Sequence, residues 1–138
     1  MALDIDNKAG NDRFSASFRV LESSETYEDL SKLIPPSHMH RAGEIRNPKT
    51  GATWDNSIWM LTSPLPKSEH LTAHLEWLWE RMEPFTEILL KKFYSGIKMD
   101  FFCSYTAQND NAGFSVEPKL YGILAAMPIP LGFSIICL

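Results

Sequence analysis

The sequence predicts an α+β fold: a four-stranded sheet with helices on one face, built from two β-α-β units joined by a long kinked helix, ferredoxin-like in general character. Three observations carry this. Period-two segments occur near both ends and in the middle of the chain, and a long apolar stripe at helical spacing lies between them. The order strand, polar turn, short Leu-rich helix, proline stop also occurs twice, at Phe18–Pro36 and Phe101–Pro130, each time followed by another strand. Right-handed crossovers would then bring the helices to one face. With 138 residues, 44% of them hydrophobic and 22% charged, the chain can bury one core and is short for two domains. The expected division is a flexible N-terminal arm over residues 1–12 and a single α+β domain over residues 13–138.

The elements follow in order. Phe14, Ala16, Phe18 and Val20 alternate with Ser15, Ser17 and Arg19, the signature of a strand with one buried face. Tyr27, Leu30, Leu33 and Ile34 then recur at helical spacing until Pro35-Pro36 stops the helix. His38–Gly51 is polar and rich in turn formers, which predicts a long exposed loop with a turn beginning at Asn47-Pro48 and another closing at Thr50-Gly51. Trp54–Thr62 reads as the second strand, ended by Ser63-Pro64-Leu65-Pro66. Ser68 is the expected N-cap of the long helix, whose stripe runs Leu71, Leu75, Leu78, Met82, Phe85, Leu89. Pro84 lies inside that stripe and should kink or divide the helix near residues 80–84. Ile97, Met99, Phe101, Cys103 and Tyr105 mark the third strand, and 108–113 is turn material. Pro118 suits the first turn of a helix through Leu120 and Leu124, and Leu131, Phe133, Ile135 and Cys137 share one face of the last strand.

Charge and motif content exclude several function classes. Thirteen Lys and Arg against seventeen Asp and Glu leave a net charge of −4, and no basic run is present to neutralise phosphates, so nucleic acid is not an expected partner. Cys103 and Cys137 sit in apolar strands without CxxC or Cys/His ligand spacing, which points to a reducing, cytoplasmic setting. The opening residues lack the apolar core of a secretory signal. Leu120–Leu138 carries no charge, yet Pro128 and Pro130 interrupt it, so a helix, turn and buried strand account for it better than a membrane span.

The strand at Phe18-Arg19-Val20, the run Trp59-x-Leu61-x-Ser63-Pro64-Leu65-Pro66, then Leu71-x-x-His74-Leu75, Met82-Glu83-Pro84 and Gly113-Phe114-Ser115-Val116-x-Pro118 together define a pattern. It resembles a family of small bacterial proteins catalogued as a domain of unknown function, number forty-two seventy-nine, over nearly the whole chain after the arm. The resemblance implies a cytoplasmic bacterial α+β protein and supplies no catalytic residue. The loop 42–52 is longer and more polar than that pattern leads one to expect.

Candidate chemistry is sparse. There is no GxSxG elbow, GxGxxG loop or P-loop, and both thiols lie on expected core positions where they are inert. The acidic pairs Glu22/Glu25 and Glu28/Asp29 suit the positive end of a short helix, and Asn109-Asp110-Asn111 suits a turn better than a calcium loop. His70 and His74 share one helix face and His38-x-His40 forms a second close pair; were the loop to fold over the helix start, the four imidazoles could hold zinc or nickel in a metal-dependent enzyme. No HExxH pattern supports that reading, and no other cofactor is implied. The face opposite the core should show Ser15, Ser17, Arg19, Asp100, Phe102, Ser104 and Ser134, together with Trp59, a mixture suited to anchoring a protein partner or a second copy. Trp77 and Trp79, two residues apart on a helix, cannot both face its apolar stripe, so one must be covered by the 38–51 loop or face a partner. The sequence therefore points to a non-enzymatic protein-binding or self-associating module, with an immunity-type role, an acidic domain masking a basic toxin, as one form of it.

Overall fold

In the computed structural model, which describes residues 12–108 and 113–138, the period-two segments become strands of a single five-stranded sheet. The elements are β1 (Arg13–Leu21), a 3-10 turn (Ser24–Thr26), α1 (Tyr27–Leu33), β2 (His38–His40), β3 (Ile45–Asn47), β4 (Ala52–Thr53) and β5 (Ile58–Thr62). They continue as α2 (Leu71–Met82), a second 3-10 turn (Glu83–Phe85), α3 (Thr86–Tyr94), β6 (Lys98–Ala107), α4 (Lys119–Ala126) and β7 (Leu131–Cys137). The sheet order is β2-β5-β1-β6-β7, while β3 and β4 form a separate two-stranded hairpin. Neighbours in the large sheet are antiparallel except β6 and β7.

The mixed α+β class stands, but the sheet has five strands rather than four, and the ferredoxin-like arrangement does not hold. Since β2 and β1 are both antiparallel to β5, they run parallel with β5 inserted between them. By the same reasoning β5 and β6 run parallel with β1 between. The first helix thus leads to His38–His40 instead of Trp54–Thr62, and only β6-α4-β7 joins adjacent parallel strands. Alternation reveals which side chains share a face; it does not encode which strand lies beside which, and three residues are too few to display a period.

Local stops fall where residue chemistry requires them. The 1–12 arm lies outside the described residues except Asp12, which is buried and accepts a hydrogen bond of 2.7 Å from the Tyr105 hydroxyl. Helix α1 ends at Leu33, before Pro35, and the long apolar stripe divides at Pro84 into α2, a 3-10 turn and α3. The N-cap of α2 is His70, not Ser68: its ring nitrogen accepts from the Thr72 N–H at 3.3 Å. Gly51, at φ 73°, closes the 3–4 hairpin with its N–H on the Asn47 carbonyl at 2.9 Å. The turn expected at 108–113 falls mostly outside the described residues.

All the buried strand hydrophobics belong to one face. Phe14, Ala16, Phe18 and Val20 of β1, Trp59 and Leu61 of β5, and Met99, Phe101, Cys103, Tyr105 and Ala107 of β6 pack against Leu30, Leu71, Leu75, Leu78, Met82, Leu89 and Leu120 of the helices. Each fully buried side chain of this size contributes about 1.5–3 kcal/mol of transfer free energy, so this face carries the stability. Trp59 is among them: it is fully buried, meets Phe18 edge-on at 5.9 Å and donates its Nε1–H to Ser31 Oγ at 3.1 Å. Its expected place on the open face is therefore corrected, because Val20, its antiparallel partner, points to the core. Among the described residues no helix is long and apolar enough to cross a membrane; the charge-free C-terminal stretch is split between α4 and β7.

Candidate functional site

None of the described helices packs on the second face of the sheet, and the strand register dictates its composition. Rows across it read Ser15, Ser104, Ser134; Ser17, Thr62, Phe102, Gly132; and Arg19, Met60, Asp100, His38. Small hydroxyl residues leave space for the long ones to lie down. Arg19 donates from Nε to Asp100 Oδ1 at 2.8 Å and from Nη2 to Oδ2 at 2.6 Å, and its guanidinium lies 4.2 Å from the Phe102 ring centre. The Asp100 hydrogen bonds raise the Arg19 pKa above its already high value. The two side chains retain 22% and 17% of their exposure, so the pair is ordered yet reachable. Ser17 and Thr62 hydroxyls meet at 2.8 Å beside it. Arg19 and Phe102 thus occupy the open face as the alternation requires.

At one end of this face lies a cleft of about 400 Å³ lined by Arg19, Leu21, Glu22, His40, Trp54, Asn56, Ser57 and Ile58. Leu21, Ile58 and His40 form one row of the sheet and make its floor. Trp54 stacks on His40 with centroids 3.7 Å apart and planes at 7°, giving an aromatic wall. The wall is pinned from below: His38 Nε2 and His40 Nδ1 are 2.7 Å apart, Ala42 N–H donates to Ser57 Oγ at 2.9 Å, and Trp54 N–H donates to the Glu44 carbonyl at 2.9 Å. Burial, and then the neighbouring His38, lower the His40 pKa, and its Nε2 meets no hydrogen-bond partner among the described residues. A neutral imidazole, an indole edge, one guanidinium and one carboxylate (Glu22) thus converge over an apolar floor. Such a surface can grip an amphipathic side chain; it offers no activated nucleophile.

The four histidines do not converge. His38 and His40 lie on the open face, whereas His74 is fully buried on the helix-covered face, with Nδ1 2.8 Å from Ser63 Oγ. His70 caps α2 and its ring packs between Phe14, at 4.8 Å, and Phe114, at 6.3 Å. The sheet separates the two pairs, and among the described residues no group of three or more His, Cys, Asp or Glu could hold a metal ion. Burial lowers the His74 pKa, as expected of an imidazole serving as packing.

The remaining expected contacts fall elsewhere. Trp77 and Trp79 are both half-buried against the rim of the core. Arg81, one turn on, covers Trp77: its guanidinium sits 3.6 Å from the ring centre and donates to the Trp77 carbonyl at 2.8 Å. The i,i+4 spacing that allows this was visible in the sequence. Trp54 and Asn56 were missed as site residues because they lie in a connection, where position follows from tertiary contacts. Cys103 is buried, which pushes its pKa up to about 12 and leaves the thiol unreactive, whereas Cys137 is exposed.

A mixed α+β fold, its five-stranded sheet covered by helices on one face and showing clamped polar and aromatic side chains on the other, defines the class. The chain belongs to the family Domain of unknown function (DUF4279), which it matches over residues 12–138. No curated protein and no solved structure matches it.

Proposed function

We propose that this chain is a non-enzymatic binding module of the bacterial cytoplasm that engages another protein through the open face of its sheet. The observation that carries the reading is the Arg19–Asp100 clamp over Phe102 beside the Trp54/His40 cleft. These side chains are held in place before any partner arrives, so little conformational entropy remains to be lost on binding. Arginine and tryptophan in such settings supply most of the energy of protein interfaces. The net charge of −4 favours a basic partner, and masking of a basic toxin, an immunity-type role, is the form of the proposal that uses that charge.

The test is a bait experiment with the full chain and two single variants, Trp54→Ala and Phe102→Ala. A basic protein retained by the wild type and lost from both variants, with melting temperatures shifted by only a few degrees, is the expected result. Retention that is equal in all three, or no retained protein at all, overturns the proposal.

A further inference from the structure

The two edges of the sheet are unlike. At one edge β2 has three residues and is followed by the 3–4 hairpin; at the other, β7 has seven, paired to β6 in unbroken register from Leu131 to Cys137. Natural edge strands are protected by shortness, bulges, proline or an inward lysine. Strand β7 has none of these, and no charged residue occurs from Leu120 to Leu138. Its end is also apolar and exposed, with Ile135 at 59%, Ile136 at 52% and Leu138 at 70%.

The hydrogen-bond pattern states what such an edge can accept. Phe101 N–H donates to the Pro130 carbonyl and Leu138 N–H to the Ala107 carbonyl, both at 2.9 Å, so the even-numbered residues of β7 bond to β6. By alternation, Leu131, Phe133, Ile135 and Cys137 turn their N–H and C=O groups outward. We propose that this edge pairs with a second copy of the chain, β7 antiparallel to β7 about a two-fold axis, making a continuous ten-stranded sheet. The edge is self-complementary: about a two-fold axis at Ser134 the four outward residues map onto themselves, each outward N–H meeting an outward C=O of the second copy. Two copies of a molecule with net charge −4 repel overall, and the uncharged β7 edge is where they approach without opposing like charges.

The register follows as well. An antiparallel pair that uses all four outward residues matches Leu131 with Cys137 and Phe133 with Ile135 of the second copy. Ser134 then falls on the axis, opposite Ser134 of the second copy in a non-hydrogen-bonded pair. Such pairs bring Cα atoms to about 4.5 Å, within disulfide range. Edge pairing alone buries less surface than a standard interface, so the dimer is weak and concentration-dependent. It leaves the Arg19 and Trp54 region uncovered, so it stands or falls apart from the partner proposed above.

The experiment uses the full chain in a Cys137→Ser background. Ser134→Cys should give a covalent dimer under mild oxidation, while Gly132→Cys, displaced from the axis, should stay monomeric. In parallel, sedimentation of the wild type should show mass rising towards twofold with concentration, and Ile135→Lys should remain monomeric throughout. Cross-linking no greater at position 134 than at 132, or a wild type that stays monomeric at every concentration, overturns the proposal.

Discussion

Phe101 and Phe102 are neighbours in sequence and opposites in environment. Phe101 is fully buried against Phe18 at 6.2 Å, whereas Phe102, one residue on, lies half-buried on the other face beneath Arg19. The same contrast runs along β1, where Phe18 and Val20 belong to the core and Arg19 between them to the open face. One set of strands therefore supplies both stability and recognition, separated only by the parity of the residue number. A slip of one residue in pairing would exchange the two roles entirely, so the core fixes the register that the open face depends on.

The contrast can be broken most severely at its buried half. Phe101→Ala should cost about 3–5 kcal/mol through lost burial and the cavity left behind. Phe102→Ala should cost about 1 kcal/mol, roughly what a partly exposed cation–π contact supplies. Urea denaturation of both variants measures the difference, and equal losses would mean that the second face is covered in solution. A gentler effect follows from the histidines, one on each face. Both His74 and His40 have pKa values lowered by burial, so the unfolded chain takes up their protons first. Their contribution is complete above about pH 6.5, the unfolded value, and is lost as pH falls below it. Stability measured from pH 7.5 to 5 should decline, and His74→Gln should flatten the decline more than His40→Gln, because His74 is fully buried whereas His40 keeps 8% of its exposure. The smallest effect concerns the clamp. A double-mutant cycle on Arg19→Gln and Asp100→Asn should give a coupling of about 1 kcal/mol that shrinks with added salt, as for other ion pairs near the surface.

Much of this architecture was legible in the sequence, for a physical reason. Strands β1 and β6 and the stripe of α2 and α3 bury one face each, and burial of one face writes a period into the residues. The open-face positions of Arg19, Asp100 and Phe102 follow from the same period, read on its polar half. The face of Trp59 was not legible because Ile58, Met60 and Leu61 around it leave the strand without a clean alternation, and its register with Val20 decides it. Strand β2 was hidden because it is short, although Met39 between two histidines does alternate between its flanking polar residues. The cleft was illegible for a different reason: Trp54 reaches His40 through a connection whose course depends on the 3–4 hairpin and on Ser57, and no local pattern records such a contact.

The pairing of β1 with β6 has a consequence for biogenesis. Arg19 and its partner Asp100 are 81 residues apart, and Asp12 and Tyr105 are 93 apart. The central strand emerges from the ribosome early, yet one of its two neighbours is completed only when Ala107 has been made. At roughly 5–20 residues per second, the nascent chain carries Phe14, Ala16, Phe18 and Val20 without that cover for several seconds. Non-local closure of this kind also slows folding after release. An early strand that must wait for a late one leaves apolar surface open to aggregation until the second half of the sheet has been made.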